Sequence, residues 1–285
     1  MVFPNRGQFY STYRRQNFAF QGSIMHYIAK NPKSSKLYQK LVQSCKYFFL
    51  KNPILIFYKL RYINGGWDVM AEAEHGWKCI DIKNILIKCW ITKGLYGFTG
   101  NNRIVSSLIP KLYKCDAKRL DLLNQIITFD ELLFLASNAE EIDFDEVVVK
   151  YENGSVVPLE KVVEVLPKIK TIKYSCTPTS PSVTGKTFKE LMKIPHFMTL
   201  DYFRLSNVPE EFDLECFYIY MKNNVRTKVR LYFGIPLSDG YKIRLNSIVD
   251  EIIATRNHEY SVPWIGFDGM DAEKFDKLES VFYQV

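Results

Sequence analysis

Apolar positions change their period along the chain, and that change divides it into a helical opening and a strand-bearing body. From Ser23 the spacing is helical: Ile24, Met25 and Ile28 share one face of a short predicted helix that Asn31-Pro32 stops. A second predicted helix is capped by Ser34 or Ser35. Its apolar residues, Leu37, Tyr38, Leu41, Val42, Cys45, Phe48 and Phe49, recur at the 3.6 period, with Lys36, Lys40 and Lys46 off the stripe. Asn52-Pro53 ends it. Another apolar segment, Ile54 to Tyr62, follows before Asn64-Gly65-Gly66 breaks the chain. Residues 1–20 read as a flexible basic arm, residues 21–62 as the helical segment, and residues 63–115 as a connector with an atypical capping unit.

Past residue 116 one short motif recurs: Leu120-Asp121-Leu122, Ile142-Asp143-Phe144, Ile172-Lys173-Tyr174, Leu200-Asp201-Tyr202, Val229-Arg230-Leu231 and Ile265-Gly266-Phe267. Successive spacings are 22, 30, 28, 29 and 36 residues. Apolar–charged–apolar is the signature of a short strand with one buried face. Helical patterns fall between the strands at Phe129 to Ala136, Leu159 to Leu166, Phe188 to Ile194, Phe212 to Met221 and Leu237 to Ala254. Turn material, such as Pro178-Thr179-Ser180-Pro181, lies beside them. Strand, turn and helix at a period near 28–30 predict a β/α solenoid over 116–285, with parallel strands lining one side. Lys78 to Phe98 is β-rich, and Asp271 to Phe282 reads as a closing amphipathic helix.

The triplets nominate a surface. In register, Asp121, Asp143, Lys173, Asp201 and Arg230 form a row on the exposed strand face, with Leu123, Asp145, Ser175, Phe203 and Tyr232 two residues further on. Charges of both signs and two exposed aromatics suit a protein ligand, with Phe203 and Tyr232 as the strongest contacts. The competing reading makes Asp143, Lys173 and Asp201 a self-neutralising cross-strand ladder.

Charge sharpens the division. The formal net charge is +7, yet residues 1–67 hold 11 Lys or Arg and no acid, the first acid being Asp68. Such a head suits an acidic partner, a nucleic acid or an acidic membrane surface. Tyr10, Tyr13, Phe18 and Phe20, interleaved with Arg14 and Arg15, are candidates for stacking on bases. Six scattered cysteines without a Cys-x-x-Cys pair, and an N-terminus without a secretory apolar core, predict an intracellular protein, cytoplasmic or nuclear. No window approaches the ~20 apolar residues of a membrane helix.

No cofactor, metal or catalytic group is expected. His26, His75, His196 and His258 are widely separated. Thr184-Gly185-Lys186-Thr187 imitates a phosphate loop, but Ser180 stands where the motif needs glycine. The acids Glu140, Glu141, Asp143, Asp145 and Glu146 straddle a strand and lack a calcium loop's central glycine.

The opening segment resembles an F-box. SIMHYIAKNP supplies that family's first helix and Pro-containing turn, and KLYQKLVQSCKYFF its second, with Cys45-Lys46-Tyr47-Phe48 in the Val-Cys-Lys-aromatic place; the resemblance implies a third helix in the segment to Tyr62. The family's initial Leu-Pro falls on Phe20-Gln21. The body looks like a degenerate leucine-rich-repeat array, so the whole is similar to the expanded nematode F-box-like families. The resemblance implies a non-enzymatic substrate receptor. Its head would dock on the Skp-type linker subunit of a cullin-RING (SCF-type) ubiquitin ligase through Met25, Ile28, Pro32, Leu37, Leu41, Val42 and Phe49. The repeats would hold a protein target.

Overall fold

A computed structural model of the chain describes residues 6–98, 101–177, 182–234 and 236–284. The Pro178–Pro181 turn and the first five residues of the basic arm lie outside the described residues. Four short helices come first: α1 (Arg6–Ser11), α2 (Gly22–Lys30), α3 (Ser35–Ser44) and α4 (Lys46–Lys51). Strands β1 (Ile54–Ile63), β2 (Gly66–Met70), β3 (Lys78–Ile80) and β4 (Lys88–Gly97) follow. Next come α5 (Ile104–Leu108), β5 (Leu112–Cys115), β6 (Arg119–Leu123), β7 (Ile126–Thr128), α6 (Phe129–Ala136), β8 (Glu141–Asp145) and β9 (Val148–Lys150). The remainder alternates: α7 (Leu159–Glu164), β10 (Thr171–Ser175), α8 (Thr187–Leu191), β11 (Tyr202–Ser206), α9 (Leu214–Asn223), β12 (Lys228–Phe233), α10 (Asp239–Ala254), β13 (Trp264–Phe267) and α11 (Ala272–Gln284).

The result is a mixed α/β fold around one largely parallel sheet. Its order is β13-β12-β11-β10-β8-β6-β4-β1-β2-β3, with β5 also pairing β4. From β4 to β13 the neighbours are parallel and enter in chain order with helices between them. Right-handed crossovers therefore carry those helices to one face of the sheet. Burial agrees. Leu120 and Leu122, Ile142 and Phe144, Ile172 and Tyr174, Phe203 and Leu205, and Val229 and Leu231 point into the main core with the helices. The alternate residues look out on a face that the crossover helices leave open. Left-handed residues follow three of the strands: Asn124 (φ 49°), Glu146 (φ 53°) and Asn207 (φ 52°). Asparagine tolerates that conformation better than most side chains.

Local chemistry explains the best-defined elements. Thr128 caps α6 by accepting from the Glu131 N–H while the Glu131 carboxylate accepts from Thr128 N–H, a complete capping box. α11 closes the β13 end as an amphipathic helix, with Leu278 and Phe282 buried.

The opening segment departs from its predicted form in three ways. The long helix over Leu37 to Phe49 is two helices, because Cys45 is extended (φ −157°, ψ 129°) and ends α3 while capping α4. Ile54 to Ile63 is a strand of the main sheet, not a third helix. Its buried residues recur every third position because Ile54 faces the head whereas Phe57 and Leu60 face the main core, with a bulge between Phe57 and Lys59 switching the alternation. The arm is also partly ordered, since Arg6–Ser11 is helical and the Phe18 ring packs edge-on against Tyr47 at 4.9 Å.

Tyr38 fixes the head to the sheet. It is buried with Ile54 and Trp90, donates its hydroxyl to the Asn52 carbonyl at 2.5 Å and accepts from the Ile54 N–H at 3.1 Å. Burial pushes its phenol up to about 12, so it stays neutral.

Candidate interaction face

The parallel register draws one row of side chains across the open face. Cα pairing runs Cys79, Asp68, Arg61, Tyr96, Asp121, Asp143, Lys173, Arg204, Arg230 and Trp264. Asp121, Asp143, Lys173 and Arg230 are therefore brought together as expected. Tyr232 lies one step along, opposite Ser206, and is 37% exposed.

Two predicted face residues are elsewhere. Phe203 is 1% exposed, paired with Ile172 and packed edge-on against Phe197 at 5.2 Å. Asp201 precedes β11 and pairs with Arg226 at 2.9 Å rather than joining the charged row. The strand begins later than its triplet suggested, because Phe197–Thr199 forms a turn of 3-10 helix and Leu200 still belongs to the approach. The repeat unit of this strand is Phe203-Arg204-Leu205, equally apolar–charged–apolar. That pattern was the available signal for Arg204, and the more even spacing of Leu200 hid it.

The row has two electrostatic halves. Around β6, β8 and β10, Arg119 reaches Asp121 at 2.8 Å, Glu141 at 2.9 Å and Asp143 at 3.9 Å, while Lys173 reaches Asp143 at 3.3 Å and Glu141 at 3.4 Å. This is a self-neutralising ladder, although its members are Arg119, Asp121, Glu141, Asp143 and Lys173 rather than Asp201. Burial raises the Asp121 carboxyl above its ordinary range, against the pull of the Arg119 hydrogen bond. The other half is basic. Arg204 is exposed and bonds only to Ser206 Oγ, at 3.1 Å, among the described residues. Arg230 has Glu279 at 3.6 Å and the Tyr283 hydroxyl at 3.3 Å.

Aromatic rings floor both ends. An added Cβ on Gly94 would lie 2.7 Å from the Tyr96 ring, and one on Gly266 would lie 2.5 Å from the Trp264 ring. Each ring thus lies along its own strand over a glycine. Arg61 stacks 4.3 Å from the Trp77 ring centre and pairs with Asp68 at 3.0 Å. Tyr232 stacks on Trp264 (6.4 Å between centres, 26° between planes) and donates its hydroxyl to Asp268 at 2.7 Å.

The head separates its predicted docking residues into core and surface. Met25 is buried with Ala29 and Phe48, which corrects its assignment to a docking surface; Ile28, Leu41 and Val42 pack half-buried against this small core. Pro32 and Phe49 are half-buried. Leu37 is 43% exposed, and two residues outside the predicted docking set face outward as well, Ile24 at 44% and Tyr27 at 68%.

The remaining candidates have ordinary structural roles. Glu140 is held by Lys118 at 2.8 Å and Lys170 at 2.9 Å, and those hydrogen bonds lower its carboxyl to about 2. Thr187 Oγ1 accepts from the Thr184 N–H, closing the turn before α8. No group of His, Cys, Asp or Glu among the described residues is arranged to hold a metal ion. No described helix is long and apolar enough to cross a membrane. Comparison with protein-family models, curated proteins and solved structures finds no match to this chain.

Proposed function

We propose that the chain is a non-enzymatic protein-interaction adaptor, a substrate receptor of a cullin-RING ubiquitin ligase. The observation that carries this reading is the open sheet face. Its crossover helices lie on one side, leaving a polar, charged and aromatic surface of in-register side chains for a protein target. Strand–helix units stacked in chain order support a leucine-rich-repeat-like body. The outward Ile24, Tyr27 and Leu37 support an F-box-like head with an apolar docking surface. Its acid-free sequence through residue 67 suits an acidic linker subunit, because complementary charge speeds encounter and selects partners.

The test is association of the full chain with a Skp-type linker subunit, beside Leu37→Asp. A truncation of the head is unsuitable, because it would uncover Ile54 and Trp90. Leu37 is 43% exposed, so burying what it leaves open is worth about 0.6–1.3 kcal/mol, and the variant should bind at least ~3-fold more weakly while keeping its circular dichroism. Absence of binding by the intact folded chain rejects the ligase reading. Binding instead to a single-stranded oligonucleotide, falling linearly with salt on a log–log plot, would favour a nucleic-acid-binding head.

A further inference from the structure

The basic half of the open face contains an arrangement that the fold itself does not explain. Arg204 on β11 and Arg230 on β12 are Cα partners in the parallel ladder, and Lys173 precedes them on β10. Three cations on adjacent strands, about 4.8 Å apart, repel one another. Lys173 is answered by Glu141 and Asp143. Arg204 has no carboxylate partner among the described residues, and Arg230 has only the Glu279 contact at 3.6 Å. The two arginines line a cleft of about 280 Å³ with Leu205, Tyr232 and Trp264.

Donors there are under-used. Trp264 is 9% exposed, and its indole N–H is buried without an acceptor among the described residues; the buried Nε–H of Arg230 is in the same state. Buried donors normally find partners, so these two leave the cleft wall with uncompensated positive character that favours an anion beside it, although neither atom is itself exposed. Arg230 is also rigidly held. Its guanidinium lies 5.0 Å from the Trp264 ring centre, 5.0 Å from Phe282 and 5.6 Å from Tyr283. A guanidinium fixed by aromatic faces, beside a second, exposed one bonded to Ser206 Oγ, is suited to a planar oxyanion bound by parallel N–H donors.

We propose that this cleft takes the carboxylate of an acidic peptide segment lying across the open sheet face, which rests on the reading of that face as a protein-binding surface. The volume admits one short acidic side chain or a chain terminus and is below the usual range for whole small-molecule ligands. Beyond the cleft, Lys228 on β12 is exposed and extends the positive surface along the strand, giving further acidic residues a complementary track.

The experiment uses the full chain, labelled with ¹⁵N, and observes its indole N–H resonances; Trp264→Phe identifies the Trp264 signal by its loss. The probes are hexaglutamate, glutarate and hexalysine. Hexaglutamate should shift the Trp264 resonance saturably, hexalysine should not, and Arg204→Gln should weaken the apparent affinity at least tenfold. Binding of hexaglutamate to the basic head would leave this resonance and its dependence on Arg204 untouched. No saturable shift, or equal affinity in Arg204→Gln, overturns the proposal. A shift with glutarate but not hexaglutamate overturns the peptide as occupant. Because linker association is measured separately, a shift without it would retain the cleft and remove only the ligase reading.

Discussion

Replacing Phe203 with alanine tests the register on which the whole face depends. Two placements of β11 were open to the pattern, one with Phe203 outward and one with it inward. In the fold its ring is 1% exposed, packs edge-on against Phe197 at 5.2 Å and sits in the main core. Truncating a fully buried phenylalanine costs about 3–5 kcal/mol, from lost transfer energy together with the cavity left behind. That is a large share of the ~5–15 kcal/mol that holds a typical domain folded. The neighbouring Arg204 is exposed, and Arg204→Ala should change stability by no more than about 0.5 kcal/mol. Urea unfolding followed by far-ultraviolet circular dichroism distinguishes the two. With a slope near ~3 kcal/mol/M, Phe203→Ala should lower the midpoint by about 1–1.7 M at unchanged slope. A cost below about 1 kcal/mol, or a larger loss in Arg204→Ala, would refute the register and move the charged row.

Three further perturbations probe the electrostatics and the head. Arg119→Ala leaves Asp121, Glu141 and Asp143 with Lys173 alone, and should cost about 1–2 kcal/mol at pH 7. The Asp121 carboxyl is already raised by burial and loses the lowering pull of Arg119, so the deficit should shrink as pH falls and that group takes up its proton; a melting-temperature difference independent of pH would count against the ladder. Glu140 has a folded-state value lowered to about 2 by Lys118 and Lys170, so its contribution is present above the unfolded value near ~4.3 and is lost as pH falls towards 2. Glu140→Gln should accordingly flatten the acid limb of the stability curve, and an unchanged limb would reject that assignment. Tyr38→Phe deprives the buried Ile54 N–H and the Asn52 carbonyl of their shared hydroxyl and should cost about 1–3 kcal/mol. Thermal unfolding measures it, with limited proteolysis between α4 and β1 reporting whether the head loosens.

Much of the body was legible because its signals are local. The apolar pattern of Phe129 to Ala136 marks α6 without reference to anything else. The strand triplets at Leu120, Ile142, Ile172 and Val229 each carry their own inside and outside. Where a segment meets two partners at once, that legibility ends. β1 buries Ile54 against the head but Phe57 and Leu60 in the main core, so its bulge imitates a helical period. Cys45 sits in an unbroken apolar stripe, and only the packing of α4 beside α2, around Met25, Ala29 and Phe48, shows that the backbone turns there.

By itself the sequence determined the alternation of strands and helices, the basic and acid-free opening, and the charged middle position of most strands. These follow from periodicity and composition, which each short segment expresses alone. Tertiary structure decided which register β11 adopts, which carboxylates answer Arg119, and that Arg204, Arg230 and Trp264 meet around one cleft. Those relations join residues from different strands, and a local period carries no information about the partner across the ladder. A single strand begun a few residues later exchanges Phe203 for Arg204 on the open face, because side chains alternate with a period of two.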